Sequence, residues 1–428
     1  MVYKAKVLFN NKFVRNVFIV ASGTIGAQAI TMAFAPVITR LYGPEAFGLL
    51  GTFMAVLGVL TPVAALTYPV AIVLAKSNEE AKKIGQISAG VAVAVATISA
   101  LIILFWADWL AKVLSLESVA DFLWLVPLAM LFSAIQQIFT QWLIRKEQFR
   151  ITARMAIFQA LIMNSAKAGV GWFHPVGATL IIIASIGQAF HAFLLWVGAR
   201  RSETEPSQNE CNAETPFELA KRYRDFPLYR SPQVLINAIS INAPTLFLAS
   251  AIGPASAGYY AITRSVLALP SMLLSNSVKD VLYPKVVEAL GSGRSISGIL
   301  IKATIGLSVV GAIPLVLVVV FGPYLFGLVF GEGWEVSGHY GRWLALFMYF
   351  NLLNSPSVAI VPALRLERWA LWHSVFSAGM RIAGLFIGYY IFRDGVAAVA
   401  VFSVLGSVCY LCLVIRVWVA SKNVYQRV

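Results

Sequence analysis

Apolar runs of about twenty residues or more, separated by short polar stretches, recur from one end of this chain to the other. A helix rises about 1.5 Å per residue and the hydrocarbon core of a bilayer is about 30 Å thick, so each run is long enough to cross it. Twelve spans are predicted on this pattern: 16–39, 47–74, 84–106, 119–143, 151–172, 176–198, 231–252, 258–282, 298–321, 339–363, 370–391 and 396–418. The first run follows a basic start and continues from Val17 to Thr39, which makes it an uncleaved helix rather than a signal peptide. The expected fold class is an all-α membrane protein with about twelve transmembrane helices.

Composition strengthens that reading. Of 428 residues, 59% are hydrophobic and 12% charged, against roughly 25% charged in soluble domains. The net charge of +14 is explained by where the basic residues fall, so it does not call for nucleic acid. Lys and Arg crowd the loops on the side that holds both termini, while the opposite side carries only Arg40, Lys112, Arg342 and Arg393. The positive-inside rule then makes both termini cytoplasmic.

The longest hydrophilic stretch, "RRSETEPSQNECNAETPFELAKRYRD" at 200–225, divides the spans six and six. Its Ser, Glu, Thr, Asn and Pro content is that of a flexible linker. The expected organisation is an N-terminal lobe over 1–199, a cytoplasmic linker over 200–230 and a C-terminal lobe over 231–428. The halves echo each other. "GPEAFGLLGTF" follows span 1 and "GPASAGYYAIT" follows span 7, with Gly43 and Gly253 210 positions apart. Tyr68-Pro69 and Tyr283-Pro284 recur in order, as do "LIILFW" and "LVVVFG". Equal numbers of spans with like loops on one side predict parallel repeats, a transporter plan with the substrate site between the halves.

The chain has no Walker A sequence, no H-E-x-x-H and no G-x-S-x-G. Its four histidines are scattered, and Cys409 and Cys412 read as small buried residues of the last span. What stands out is three cations inside spans, Lys167, Arg264 and Arg381. No carboxylate lies nearer a span centre than Asp280, which adjoins Lys279. Arg381, at the middle of span 11, is too deep to snorkel easily to either surface. Intramembrane cations without acids suit a hydrated cavity that receives an anion, and a pyrophosphate would satisfy an arginine fork by paired, charge-assisted hydrogen bonds. Structural alternatives stand beside this: Arg264 capping backbone carbonyls, and Lys167 snorkelling to the interface. Polar positions on spans 1 and 7, including Gln28 and Asn242, suit sugar hydroxyls or helix–helix contacts equally.

"ITRLYGPEAFGLLGTFMAVLGVLTPVAALTYPVAIV" resembles the opening of bacterial polysaccharide exporters in the multidrug/oligosaccharidyl-lipid/polysaccharide superfamily, above all in its Gly43-Pro44-Glu45-x-Phe47-Gly48 turn. "QWLIRKEQFRITARMAIFQAL" is similar to their basic loop between helices 4 and 5, and "GPASAGYYAITRSVLALP" to their helix 7–8 junction, Arg264 included. The resemblance implies a Wzx-type flippase of the bacterial inner membrane with two six-helix lobes around a central cavity. It would move undecaprenyl-pyrophosphate-linked oligosaccharides for O-antigen, capsule or exopolysaccharide synthesis. The implied partners are that carrier, membrane lipids and the glycan polymerase of the same pathway, with no nucleic acid. No cofactor is expected, and protons, sodium or carrier turnover all stay open as the energy source. The alternative within the superfamily, a multidrug/cation antiporter, relies on carboxylates buried in its N-terminal lobe. Here no acid lies between Glu45 and Glu79, nor inside spans 1 to 6 away from their edges. Lipid II flippases usually carry two further helices, and a glycan polymerase or ligase needs a larger outer loop than this chain offers.

Overall fold

The structure, a computed structural model, describes residues 12–113, 117–201, 215–291, 296–361, 364 and 366–424. Within these, the side chains of 12–21, 113, 201, 276–281, 283–285, 287–291, 367 and 423–424 are not described. The described residues are helical almost throughout: α1 (Lys12–Leu60), α2 (Asn78–Val113), α3 (Leu125–Arg145), α4 (Phe149–Gly171), α5 (Gly177–Arg201), α6 (Pro216–Arg222), α7 (Ser231–Ala251), α8 (Pro254–Gly291), α9 (Ile296–Phe330), α10 (Glu335–Ile360), α11 (Glu367–Phe392) and α12 (Gly395–Val424). The chain is an all-α, multi-pass membrane protein. Among the described residues eight segments are long and apolar enough to cross a membrane, and the first, Ser22–Val63, holds two predicted spans. Three helices with more polar sequence, α3, α4 and α8, occupy the remaining predicted positions.

Two departures from the predicted spans have local causes. Spans 1 and 2 belong to one helical segment broken at Gly43, where φ 69° and ψ 173° leave helical space, as glycine allows. Gly253, its predicted repeat counterpart, also sits at positive φ immediately before a proline that opens a helix. Span 2 does not continue to residue 74 as a regular helix. It ends at Leu60, and the chain passes through two tight 3-10 turns, Thr61–Val63 and Tyr68–Leu74, with Leu66 and Thr67 both at positive φ. The prolines at 62 and 69 cannot supply the amides a continuing helix needs.

The chain divides into two compact units, Met1–Asn242 and Ala243–Val428. The division falls inside α7, just before Pro244, rather than at the hydrophilic linker. Of that linker, residues 202–214 lie outside the described residues, whereas 215–230 form ordered helix on the N-terminal unit. Thr215 and Glu218 close a reciprocal capping box on α6, and Leu219 is fully buried. Those hydrogen bonds to the Thr215 amide and hydroxyl hold the Glu218 carboxyl below its ordinary range. Arg222 pairs with Glu80, whose carboxylate also accepts from the Tyr223 hydroxyl (2.9 Å) and the Lys76 amide (3.0 Å). Burial pushes the Tyr223 phenol up, keeping it a donor. Tyr68 and Thr67 hydroxyls donate to the Ala220 and Phe226 carbonyls, fastening α6 to the tight-turn segment.

Helix directions test the predicted alternation of spans. In the N-terminal unit α1 and α4 run parallel, with Gly23 against Ala153, Gly26 against Ile157, and the Tyr42 hydroxyl on the Lys167 carbonyl. Helices α4 and α5 are antiparallel, Gly187 lying against Met163 and Gly198 against Ile151. In the C-terminal unit α8 and α10 are parallel, tied by Thr263 Oγ1 to the Ser337 carbonyl (2.8 Å) and by Ser275 to Ser355 (2.6 Å). Helices α9 and α10 are antiparallel, their backbones in close approach where Gly322 meets Gly338. Helices α11 and α12 are also antiparallel, Gly388 lying against Ala398. Every pair has the direction that twelve consecutive crossings demand. Small residues at these contacts let the backbones pack closely, the main source of cohesion once water is absent.

Candidate functional site

Arg381 lies near the middle of α11, roughly 20 Å of helix from either end. Its residue is 9% exposed, and Gly406 on α12 leaves room for its methylene stem. Nε donates to the Ser377 carbonyl at 3.2 Å, one turn back on its own helix. The guanidinium lies over the faces of Phe347 on α10 and Phe402 on α12, 5.9 and 6.0 Å from the ring centroids. Neither terminal nitrogen has a hydrogen-bond partner among the described residues, and no carboxylate pairs with it there. Each cation–π contact is worth about 0.5–2 kcal/mol, while a mid-membrane arginine costs about 2.5–3.5 kcal/mol by insertion scales. The surroundings thus stabilise the charge without using the donors of its two terminal nitrogens.

Arg264 is half-buried on α8. One turn before it, Tyr260 is 2% exposed and packs with Tyr340 and Leu248. Two of the predicted cations, Arg264 and Arg381, thus belong to the C-terminal unit. The other three candidates are in the N-terminal unit. Lys167 is a half-buried residue of α4, and its ammonium has no partner among the described residues. Gln28 is exposed on α1. Asn242, on α7, donates to the Ala238 carbonyl at 2.8 Å and lies against Gly58, so its amide serves helix packing at least in part. The side chains of Lys279 and Asp280, expected to pair, are outside the description.

Several polar groups escaped the sequence reading. Asn164, one turn before Lys167, donates to Thr31 on α1 (3.1 Å), one turn beyond Gln28. His373 bonds the Cys409 carbonyl (3.0 Å) and stacks on Trp369, the ring centroids 5.0 Å apart. Spacing of four from Trp369 to Arg381 was the available signal for this polar face. Cys409 is buried as expected. Cys412 is exposed, contrary to expectation, although a step of three keeps it near the helix face of Cys409. Arg145, in the basic-loop motif, donates through Nη1 to the Ala75 and Ile72 carbonyls (2.6 and 3.2 Å). It caps the Tyr68–Leu74 turn, a structural task that its family-like surroundings did not disclose.

The fold defined by these helices is shared by solved structures described as transporters of the MOP superfamily. It resembles "Lipid II flippase MurJ, inward closed conformation" at TM-score 0.73 and 13% identity, covering 95% of this chain and 90% of that one. An inward-facing multidrug resistance MATE family transporter gives TM-score 0.72 at 11% identity, with 93% and 96% covered. A MOP superfamily transporter from Pyrococcus furiosus, described as having a binding pocket of reversed polarity, gives 0.62 at 15% identity, with 96% of each chain covered. No curated protein sequence matches. The chain belongs to the polysaccharide biosynthesis protein family, whose pattern it matches over residues 37–339.

Proposed function

We propose that this protein flips undecaprenyl-pyrophosphate-linked oligosaccharides across the bacterial inner membrane for O-antigen, capsule or exopolysaccharide synthesis. The observation that carries this reading is Arg381, a mid-membrane cation held by aromatic faces with its paired donors unused and no carboxylate beside it among the described residues. Arg264 lies in the same unit, and the two supply the charge that a pyrophosphate needs. Fold alone does not choose between a flippase and a multidrug exporter, since the two neighbours are equally similar. Family membership and the sign of the intramembrane charge favour an anionic, glycan-bearing substrate. A carrier of cationic drugs needs acids where this chain has none, from Glu45 to Glu79. Lys167 is a third candidate phosphate contact, and Gln28 and Asn242 are candidates for sugar hydroxyls. The glycan polymerase of the pathway is the expected partner, receiving the flipped unit.

Deleting the gene should leave lipid-linked saccharide units accumulated on the cytoplasmic side, measured by extraction and mass analysis. Normal levels of those units and of the finished polymer would refute the proposal. Orientation has its own test, with both termini placed in the cytoplasm. In a background without native cysteines, Ala255→Cys should react with an impermeant thiol reagent in intact cells. Ser207→Cys and Ser292→Cys, at positions outside the described residues, should not; labelling of Ser207→Cys from outside overturns the orientation.

A further inference from the structure

We propose that His373 is a proton-binding site linked to Arg381, so that an anion and a proton bind the C-terminal unit together. This rests on Arg381 being the anion-binding residue. Trp369, His373, Ser377 and Arg381 recur every fourth residue on α11, which places them along one side of the helix. That side packs on α12, with His373 at the Cys409 carbonyl and Arg381 beside Gly406 and Phe402. The Cys409 carbonyl can only accept, so the His373 nitrogen facing it, Nε2, carries a hydrogen, and Nδ1 is the atom that gains or loses the proton.

The charged and titratable groups around the ring are known from each packed element. Helix α12 contributes the Cys409 and Cys412 thiols, the Tyr410 phenol and Arg416, which lies over the Trp369 ring at 5.9 Å. Helix α11 contributes Arg368 and Arg381, whose charge acts on His373. Helix α10 presents Phe347, while its Tyr349 is engaged by Ser308. Helix α8, packed on α10, carries Arg264 and Tyr260. No carboxylate with a described side chain is among these groups. With the arginine empty, a protonated His373 is opposed by the charge of Arg381.

An anion on Arg381 cancels that opposition. Eight helical residues separate the two by about 12 Å, and at an effective dielectric of about 20 the interaction is worth about tenfold in a binding constant. Linkage is reciprocal, so the protonated protein binds the anion about tenfold more tightly than the neutral form. Anion affinity should rise as pH falls through the histidine range. Proton uptake of up to about half a proton per anion would then accompany binding, at the pH midway between the free and bound midpoints.

The test uses the full chain in nanodiscs of zwitterionic phospholipid, with farnesyl pyrophosphate as probe at pH 8 and pH 5.5. His373→Gln keeps a donor for the Cys409 carbonyl but cannot titrate. The probe's own ionisation affects both proteins alike, so the affinity gain on acidification should be about tenfold larger for the unaltered protein. Calorimetry in buffers of different ionisation enthalpy should show correspondingly greater proton uptake. Equal pH dependence in the two proteins overturns the proposal. If the unaltered protein binds no probe at either pH, the reading of Arg381 fails and takes this one with it. Should His373→Gln misfold, NMR of a chain retaining His373 as its one histidine decides: its titration midpoint should rise about one pH unit with probe, and an unmoved midpoint overturns the link.

Discussion

Arg145 and Arg381 carry the same charge at helical positions in the two halves, and their surroundings differ completely. Arg145 ends α3 in the N-terminal unit and spends its guanidinium on backbone carbonyls of the tight-turn segment. Arg381 sits in mid-helix in the C-terminal unit and makes one backbone hydrogen bond, the rest of its contacts being aromatic faces. The first arginine satisfies acceptors that the broken helix would otherwise leave unpaired. The second satisfies little. An intramembrane charge therefore points to function only where the protein has left its donors unused.

Substitutions at the two positions should separate activity from stability, and Arg381→Gln should have the largest effect. Transport per correctly inserted molecule should fall by about tenfold to a hundredfold, the loss expected for about 1.5–3 kcal/mol of charge-assisted bonding to the substrate. Arg381→Lys should restore part of it, because a point charge lacks the planar fork. Both effects should be similar for carriers with different glycans. Normal specific activity in Arg381→Gln would erase the distinction between the two arginines.

Arg145→Gln should instead lower thermal stability, by about 1.5–3 kcal/mol for the lost charged hydrogen bonds, with activity per folded molecule retained. A reversed outcome, stable but inactive protein, would make the tight-turn segment part of the transport cycle. A smaller effect is expected at the Glu80 anchor. Arg222 is about a third exposed there, so solvent screening limits the pair to about 0.5–1 kcal/mol, read as the coupling energy in a Glu80→Gln, Arg222→Gln cycle of melting temperatures. A change of similar size should come from Phe402→Leu, which removes one aromatic face from Arg381 and about 0.5–1 kcal/mol of cation–π support. Its effect should appear in stability without changing which glycans are carried.

Much of this molecule was legible without coordinates. Apolar run length places twelve crossings because hydrocarbon thickness is a one-dimensional constraint, and α1/α4, α8/α10 and α9/α10 all run in the directions those crossings require. Gly43 and Gly253 mark turns because positive φ is a local demand. Lys167, Arg264 and Arg381 were conspicuous because charge in an apolar run is rare. What surrounds each charge is not local. Nothing near Arg145 in the chain shows that its guanidinium reaches residues 72 and 75, some 70 positions earlier. Nothing near Arg381 shows Phe347 and Phe402 beneath it. The linker's polar composition likewise gave no sign that Arg222 would meet Glu80. Sequence determined where the chain crosses and which charges lie within it, since both follow from transfer between water and hydrocarbon. Only the packing of helices distant in sequence decided which arginine spends its guanidinium on backbone carbonyls and which keeps terminal donors unused.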